Sequence, residues 1–292
     1  MSRAFRPRSL QEAVALLGDP ELGAVPVAGC TDLMVLDHAM RRSHRAVVDL
    51  LGLAELRGIR WAEGGGSAGG PVVEIGAAST FSAIRADPLV RMHLPILAEA
   101  AATIGAWQIQ NRATIGGNLA NASPAADSAP VLLALDAELV LVGPAGERVV
   151  PYRSFHLGYR KTLLAPGELI ARIRVPVPVP GTRQRFHKVG TRQAQAISKV
   201  VLAMCCRREP DGLLRGVRFG VGSVAPVPRR LRGAEQACEG RPAGAATAER
   251  AAAAAAAEVH PIDDVRSTAA YRREVLARLV RRMVLELAAD AG

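Results

Sequence analysis

Residues 113–130 read ATIGGNLANASPAADSAP, a stretch with one charged side chain, Asp127, and two adjacent glycines, Gly116 and Gly117, directly before Asn118. It is too polar for a hydrophobic core and too uncharged for an ordinary surface. Glycine lets a backbone approach a ligand closely because no Cβ stands in the way, and successive backbone N–H groups in a turn make an anion-binding concavity. A second stretch of the same character, AGCTD at 28–32, follows an expected strand, VPVAG at 25–29. It leads into an expected helix, DLMVLDHAMR at 32–41, capped by Thr31 or Asp32. With the strand AVVDL at 46–50 this makes a strand–turn–helix–strand start whose turn presents N–H groups to an anion. Neither loop holds a lysine or arginine. Neither has the spacing of a P-loop or of a nicotinamide-binding G-x-G-x-x-G. Taken singly, each loop reads as plain turn geometry rather than as a ligand site.

Outward from these loops, S-L-Q-E at 9–12 has capping-box form ahead of a short helix that Gly18 ends. GGGSAGGP at 64–71 reads as the tip of a hairpin between strands near 59–62 and 72–75. Residues 81–105 read as two helical segments broken near Asp87-Pro88, and AELVLVG with RVVPY as a second hairpin. VPVPVPG at 175–181 is a proline-rich extended segment and the best boundary between two domains. Beyond it FHKVGT, SKVVLAMCCR and LRGVRFGVGSV read as antiparallel strands, and AERAAAAAAAEVH as a helix. Tyr271, Val275, Leu276, Leu279, Met283 and Leu287 share one face of a final amphipathic helix.

A chain of 292 residues exceeds one typical domain and can bury a sizeable core. With 49% hydrophobic and 22% charged residues it is globular, and aromatics at 3% leave few platforms for stacking nucleic-acid bases. The net charge of +10 is concentrated C-terminally: residues 183–292 hold 20 Lys and Arg against 11 Asp and Glu, residues 1–182 hold 17 against 16. That excess reads as a solvated arginine-rich face or a surface for an acidic partner. No helix-turn-helix, zinc-finger or RNP pattern accompanies it, so no nucleic-acid partner is expected. No apolar run reaches the length of a membrane span, the N-terminus lacks a secretory h-region, and the expectation is a cytoplasmic protein. Cys30, Cys205, Cys206 and Cys238 form no C-x-x-C or other metal spacing, and no metal site is expected.

The stretch QNRATIGGNLANASPAADSAPVLLALDAEL resembles the flavin-binding (medium) subunit of molybdenum hydroxylases, the xanthine dehydrogenase and carbon monoxide dehydrogenase family. The resemblance extends through AGCTDLM, LAELRGI, STFSAIRADPLVRMHLPIL, FHLGYRKTLLAPGELI, HKVGTRQAQAISKV, FGVGSVAPVPRR and PIDDVRSTAAYRREV, nearly the whole chain. It implies an α+β fold. A two-subdomain FAD-binding domain of the vanillyl-alcohol-oxidase (PCMH) type would span 1–176, with subdomains of about 1–57 and 58–176. A smaller C-terminal domain of antiparallel sheet and helices would span 183–292.

By the same resemblance the loops Val27, Ala28, Gly29, Cys30, Thr31, Asp32 and Thr114, Ile115, Gly116, Gly117, Asn118 hold the diphosphate of a noncovalent FAD, mainly through backbone N–H groups. Asp127 then accepts from the nucleotide, its alternative being a helix N-cap. Asn121 and Ser123 either donate to the cofactor or satisfy their own loop. Ile104 packs on the flavin or in the core, Ile170 is carried into the contact set, and Lys188 lies near the flavin or is a solvated strand lysine. Cys30 departs from the family's second glycine, and a thiol fits there if φ is negative. His156 and His187 pair with no nucleophile or metal motif and read as core or surface histidines.

The implied role is electron transfer. A large molybdopterin-binding subunit oxidises the substrate, a small subunit carries [2Fe-2S] clusters, and this chain's FAD passes electrons to NAD+ or another acceptor, in a dimer of heterotrimers. A stand-alone flavin oxidase of the vanillyl-alcohol oxidase superfamily and a non-catalytic flavin-binding module are the alternatives.

Overall fold

The computed structural model describes residues 3–40, 44–67, 69–193 and 195–289. Arg41 of the expected second helix, Ala68 of the glycine-rich tip and Ala194 lie outside the described residues.

The chain starts with β1 (Arg3–Phe5), α1 (Leu10–Gly18), β2 (Ala24–Val27), α2 (Leu33–Met40) and β3 (Ala46–Asp49). Ser9 caps α1 by accepting from the Glu12 N–H at 3.1 Å, and the Glu12 carboxylate accepts from the Arg8 N–H at 2.7 Å, one residue short of a full capping box. β1 and β2 flank β3 in a parallel sheet, the pairing that a helical crossover produces.

β4 (Ile59–Ala62) and β5 (Val72–Gly76) form the first expected hairpin. Three helices follow where two were expected: α3 (Phe81–Ala86), α4 (Pro88–His93) and α5 (Pro95–Thr103). Leu94-Pro95 repeats the break at Asp87-Pro88, because each proline opens a helix at a position where its missing N–H costs nothing. After α6 (Trp107–Gln110), the small-residue stretch proves not to be all loop. It contains α7 (Ile115–Ala120), and α8 (Ser128–Ala134) begins within it.

β6 (Glu138–Gly143) and β7 (Gly146–Pro151) make the second hairpin, and β8 (His156–Gly158) with β9 (Lys161–Thr162) a small third one. β10 (Leu169–Pro176), which the sequence reading did not identify as a strand, is the central strand of an antiparallel sheet of order β4-β5-β10-β6-β7. Its sequence hides it, because Arg172 and Arg174 alternate with the buried Ile173 and Val175. Both arginines pair with the buried Glu74 of β5, at 3.4 and 3.1 Å, so charges that look superficial are neutralised within the sheet.

β11 (Thr182–Val189), β12 (Val200–Arg208), β13 (Leu214–Gly222) and β14 (Arg229–Arg230) form the third sheet, covered by α9 (Arg232–Cys238), α10 (Ala245–Glu258) and α11 (Ala269–Ala289). β12 is buried on both faces, in keeping with its unbroken apolar run. Leu202, Met204 and Cys206 join the core under α10 and α11, while Ala203 and Cys205 join the core around α8. Every residue of α8 is buried. It lies so close to β13 that a Cβ on Gly220 would stand 2.0 Å from the Pro130 carbonyl oxygen.

The buried stripe of α11 is Arg272, Leu276, Val280, Met283, Val284 and Leu287, while Tyr271 is exposed. Leu276, Met283 and Leu287 of the expected face are thus buried, Val275 and Leu279 pack beside them, and only Tyr271 departs from it. A hydropathy pattern omits Arg272, yet its buried guanidinium donates to the carbonyls of Lys199 (3.1 Å) and Ser223 (2.9 Å) and to Asp264 (2.6 Å). Several C-terminal arginines sit in surface ion pairs, among them Arg278 with Glu274 and Arg282 with Glu286.

Candidate functional site

The two small-residue loops cross each other. An ideal Cβ on Gly29 would lie 2.0 Å from the carbonyl oxygen of Arg112 and 3.0 Å from Cα of Ala113, so only glycine permits the crossing. Cys30 next to it has φ +59°, so the condition for an unstrained thiol, a negative angle, is not met. The thiol is accommodated in left-handed backbone, at a cost of about 1–2 kcal/mol for an L-residue. The turn is held by the Cys30 carbonyl, which accepts from Met34 N–H at 3.0 Å and so opens α2. Among the described residues, the N–H groups of Gly29, Thr31 and Asp32 donate to no protein acceptor. They are the kind of donors an anion recruits.

The second loop is built the other way. Ile115 N–H donates to Ser79 O (3.1 Å), Gly116 N–H to Ala77 O (2.8 Å), Gly117 N–H to the Thr114 hydroxyl (3.1 Å) and Asn118 N–H to Thr114 O (2.9 Å). Its donors are spent inside the protein. Gly116 is there for packing: a Cβ would meet that of Ala77 at 2.6 Å. The loop forms a smooth wall rather than a cradle of N–H groups. Further along, Asn118 accepts from the Ser128 hydroxyl at 2.7 Å, Asn121 from Arg160 at 3.3 Å, and Ser123 from the N–H of Ala125 at 3.2 Å.

Asp127 carries the charge of the site. Its backbone is helical and its side chain makes no cap to α8. Instead Oδ2 accepts from Lys188 Nζ at 2.6 Å, and the same ammonium donates to Thr103 O at 2.8 Å. Both side chains are only 8% exposed. Burial raises the Asp127 carboxyl above the ordinary carboxylate range, and the Lys188 cation opposes that shift. Oδ1 is buried and has no partner. An unsatisfied buried carboxylate oxygen costs free energy until a donor meets it.

These elements enclose a cavity of about 630 Å³, within the range that small-molecule cofactors occupy. Of the residues singled out in the sequence, Val27, Ala28, Gly29, Cys30, Thr31, Asp32, Ile104, Thr114, Gly117, Asn118, Asn121, Ser123 and Asp127 line it. Ile115 and Gly116 lie one layer behind, Ile170 sits on β10 in the core, and Lys188 stands behind Asp127. The sequence reading missed Leu33, Ile109 and the segment Gln195, Ala196 and Ile197, which reaches the cavity from the C-terminal domain. Their signal was weak: only the run HKVGTRQAQAISKV ties that segment to Lys188.

The histidines lie apart from this chemistry. His156 Nε2 is 2.9 Å from Leu119 O, and burial lowers its pKa; burial lowers that of His187 as well. Cys205, Cys206 and Cys238 are buried, and burial pushes their thiols up to about 12. Among the described residues no group of His, Cys, Asp and Glu is arranged to hold a metal ion, and no helix is long and apolar enough to cross a membrane.

A two-domain α+β fold that closes a cavity between a donor-bearing turn, a glycine wall and a buried carboxylate defines a protein that binds a small anionic ligand or cofactor. The family described as the FAD binding domain in molybdopterin dehydrogenase matches residues 1–178, and the CO dehydrogenase flavoprotein C-terminal domain matches residues 185–287. The chain is 33% identical to the xanthine dehydrogenase FAD-binding subunit of Escherichia coli O157:H7, over 98% of this chain and 96% of the relative. It is also 33% identical to the carbon monoxide dehydrogenase medium chain of Hydrogenophaga pseudoflava, over 94% and 93%. Among solved structures, carbon monoxide dehydrogenase from Hydrogenophaga pseudoflava superposes with a TM-score of 0.89 at 34% identity, covering 96% of this chain and 94% of that one. Quinoline 2-oxidoreductase from Pseudomonas putida 86 superposes with a TM-score of 0.90 at 26% identity, covering 100% and 98%. The chain therefore belongs to the FAD-binding subunits of the xanthine dehydrogenase and carbon monoxide dehydrogenase family, and is an oxidoreductase subunit. The residues present fit that cofactor: unspent N–H donors stand ready for a diphosphate and Asp127 Oδ1 for a hydroxyl or N–H.

Proposed function

We propose that this chain holds FAD noncovalently in the cavity between its two loops and relays electrons within a larger complex. Electrons arrive from the [2Fe-2S] clusters of a small partner subunit, which a large molybdopterin-binding subunit loads by oxidising the organic substrate. They leave to NAD+ or another acceptor. The assembly is a dimer of heterotrimers working in the cytoplasm. The flavin, when bound, would supply the redox chemistry, and the protein supplies its placement and electrostatics.

The chain's own residues do the placing. The N–H groups of Gly29, Thr31 and Asp32 meet the diphosphate, and Thr114, Gly117 and Asn118 form the wall it lies against. Ile104 supplies apolar cover. The observation that carries the reading is Asp127, which lines the same cavity as those N–H groups and keeps one buried carboxylate oxygen, Oδ1, without a partner in the protein.

The test is purification and titration of the chain. A yellow protein with one FAD per chain is the expected result, and Asp127→Ala weakens FAD by about 1–3 kcal/mol, the scale for hydrogen bonds to charged groups. A colourless protein with no FAD affinity overturns the reading. Stopped-flow reduction separates a relay from a stand-alone oxidase: the isolated chain's flavin resists the organic substrate and is bleached only when both partner subunits are added.

A further inference from the structure

Lys188 lies on β11 in the C-terminal sheet, yet its ammonium bonds run into the other half of the molecule. Thr103 ends α5 and Asp127 immediately precedes α8, so one cation ties together two helix ends beside the cavity. Only one oxygen of Asp127 is used in this bond, and the other is buried without a partner. A buried carboxylate that loses its cation avoids the cost of desolvation by taking up a proton, and then presents a hydroxyl where an acceptor was. The charged group acting on Asp127 is Lys188, and the hydroxyl of Ser198, in the segment before β12, adds a smaller hydrogen-bond contribution that also favours the ionised carboxylate.

We propose that Lys188 is a positioning residue for the cofactor. By holding Oδ2 it keeps Asp127 ionised and leaves Oδ1 as an acceptor for an O–H or N–H of FAD, so Lys188 sets flavin affinity without itself lining the cavity. The inference rests on the reading of the cavity as the FAD site. It differs from a lysine in contact with the flavin ring, which would act on the midpoint potential of the cofactor rather than on the protonation state of Asp127.

The test is a fluorescence titration of the full chain with FAD from about pH 5.5 to 8.5, a range in which an exposed carboxylate stays ionised. Wild type, Lys188→Met, Lys188→Gln, Asp127→Asn and the double variant Lys188→Met/Asp127→Asn are compared. The wild-type affinity is expected to be flat with pH. Lys188→Met approaches wild type at the alkaline end, and its Kd rises about tenfold per pH unit below the pKa that Asp127 then has. Asp127→Asn binds weakly and without pH dependence, and the double variant binds no more weakly than Asp127→Asn alone, because the lysine acts through the carboxylate. Lys188→Gln keeps a donor for Thr103 O while losing the charge, so it gives the same profile if Lys188→Met is unstable.

A pH-flat Lys188 variant overturns the proposal, and so do losses that add independently in the double variant. Unchanged affinity with a lowered midpoint potential also overturns it, in favour of a flavin contact. A wild-type chain that takes up no FAD refutes the underlying cavity reading. Wild-type binding combined with a flat variant refutes this inference alone.

Discussion

Replacing Gly29 by alanine tests the crossing of the two loops directly. The new methyl would stand 2.0 Å from the Arg112 carbonyl oxygen and 2.7 Å from its carbon, where real Cβ contacts do not fall below 3.0 Å. One segment must therefore retreat by about an ångström, and overpacking of this kind costs about 1–3 kcal/mol. The second segment cannot give way. Arg112 and Ala113 N–H both donate to Ile109 O, at 3.0 and 2.7 Å, Ala113 O accepts from Phe81 N–H at 3.1 Å, and Ile115 N–H donates to Ser79 O. The first loop must move, and it carries the N–H groups of Thr31 and Asp32 with it. Gly29→Ala is therefore expected to weaken FAD by one to two orders of magnitude, about 1.4–2.8 kcal/mol. The apoprotein's melting temperature should fall by a few degrees, the scale that about 1–3 kcal/mol implies for a chain of this size. Isothermal titration with FAD and thermal unfolding with and without the cofactor give both numbers. Wild-type FAD affinity in a folded Gly29→Ala chain would refute the crossing and the donor role of the first loop together.

Cys30→Gly removes the left-handed strain of about 1–2 kcal/mol and adds about 0.5–1 kcal/mol of unfolded-chain entropy. The variant should be neutral to about 1.5 kcal/mol more stable in thermal melts and should keep its FAD; loss of the flavin would make the thiol part of the site. His156 has a folded-state pKa below its unfolded value of about 6.5, so the unfolded chain binds the extra proton first and stability falls as pH drops through that value toward the folded pKa. His156→Gln should flatten the pH dependence of urea midpoints in that window, and an unchanged slope would assign the acid sensitivity to other groups. Gly220→Ala, whose methyl would stand 2.0 Å from Pro130 O, should destabilise the chain by about 1–3 kcal/mol in urea unfolding through the α8–β13 contact. An unchanged midpoint would show that α8 and β13 can separate freely.

The strand–turn–helix–strand start, both hairpins and the C-terminal sheet could be read from the sequence because each presents a local pattern: alternation, a turn tip or a capping residue. β10 could not, since its arginines look like surface until Glu74 arrives from β5, a partner about a hundred residues away. α7 was lost for the opposite reason. Thr114 is an ordinary N-cap, but the two glycines after it argue against a helix on propensity alone, and only the packing of Gly116 on Ala77 explains them. The buried face of α11 went astray at Arg272 because a side chain that donates to two carbonyls and a carboxylate belongs to the core for reasons hydropathy does not encode.

The candidate site was legible in its contour and not in its division of labour. Small residues at 28–32 and 113–118 pointed to backbone pressed against something, but sequence treats the two loops alike. In the first, glycine frees a turn in which the N–H groups of Gly29, Thr31 and Asp32 meet no protein acceptor among the described residues; in the second, every N–H from Ile115 to Asn118 is already committed. The pattern Thr114-x-x-Gly117 did hold the clue, because a hydroxyl at an N-cap takes the N–H three residues on. Asp127 illustrates the remaining limit. Its place before an apolar helix fits an N-cap as well as a ligand contact, yet the side chain makes no cap: Lys188, sixty-one residues away, claims one carboxylate oxygen and leaves the other buried without a partner. A carboxylate held by a cation from another domain is more useful to a cofactor than a solvated one. It accepts hydrogen bonds without competition from water, and its orientation is fixed before the ligand arrives.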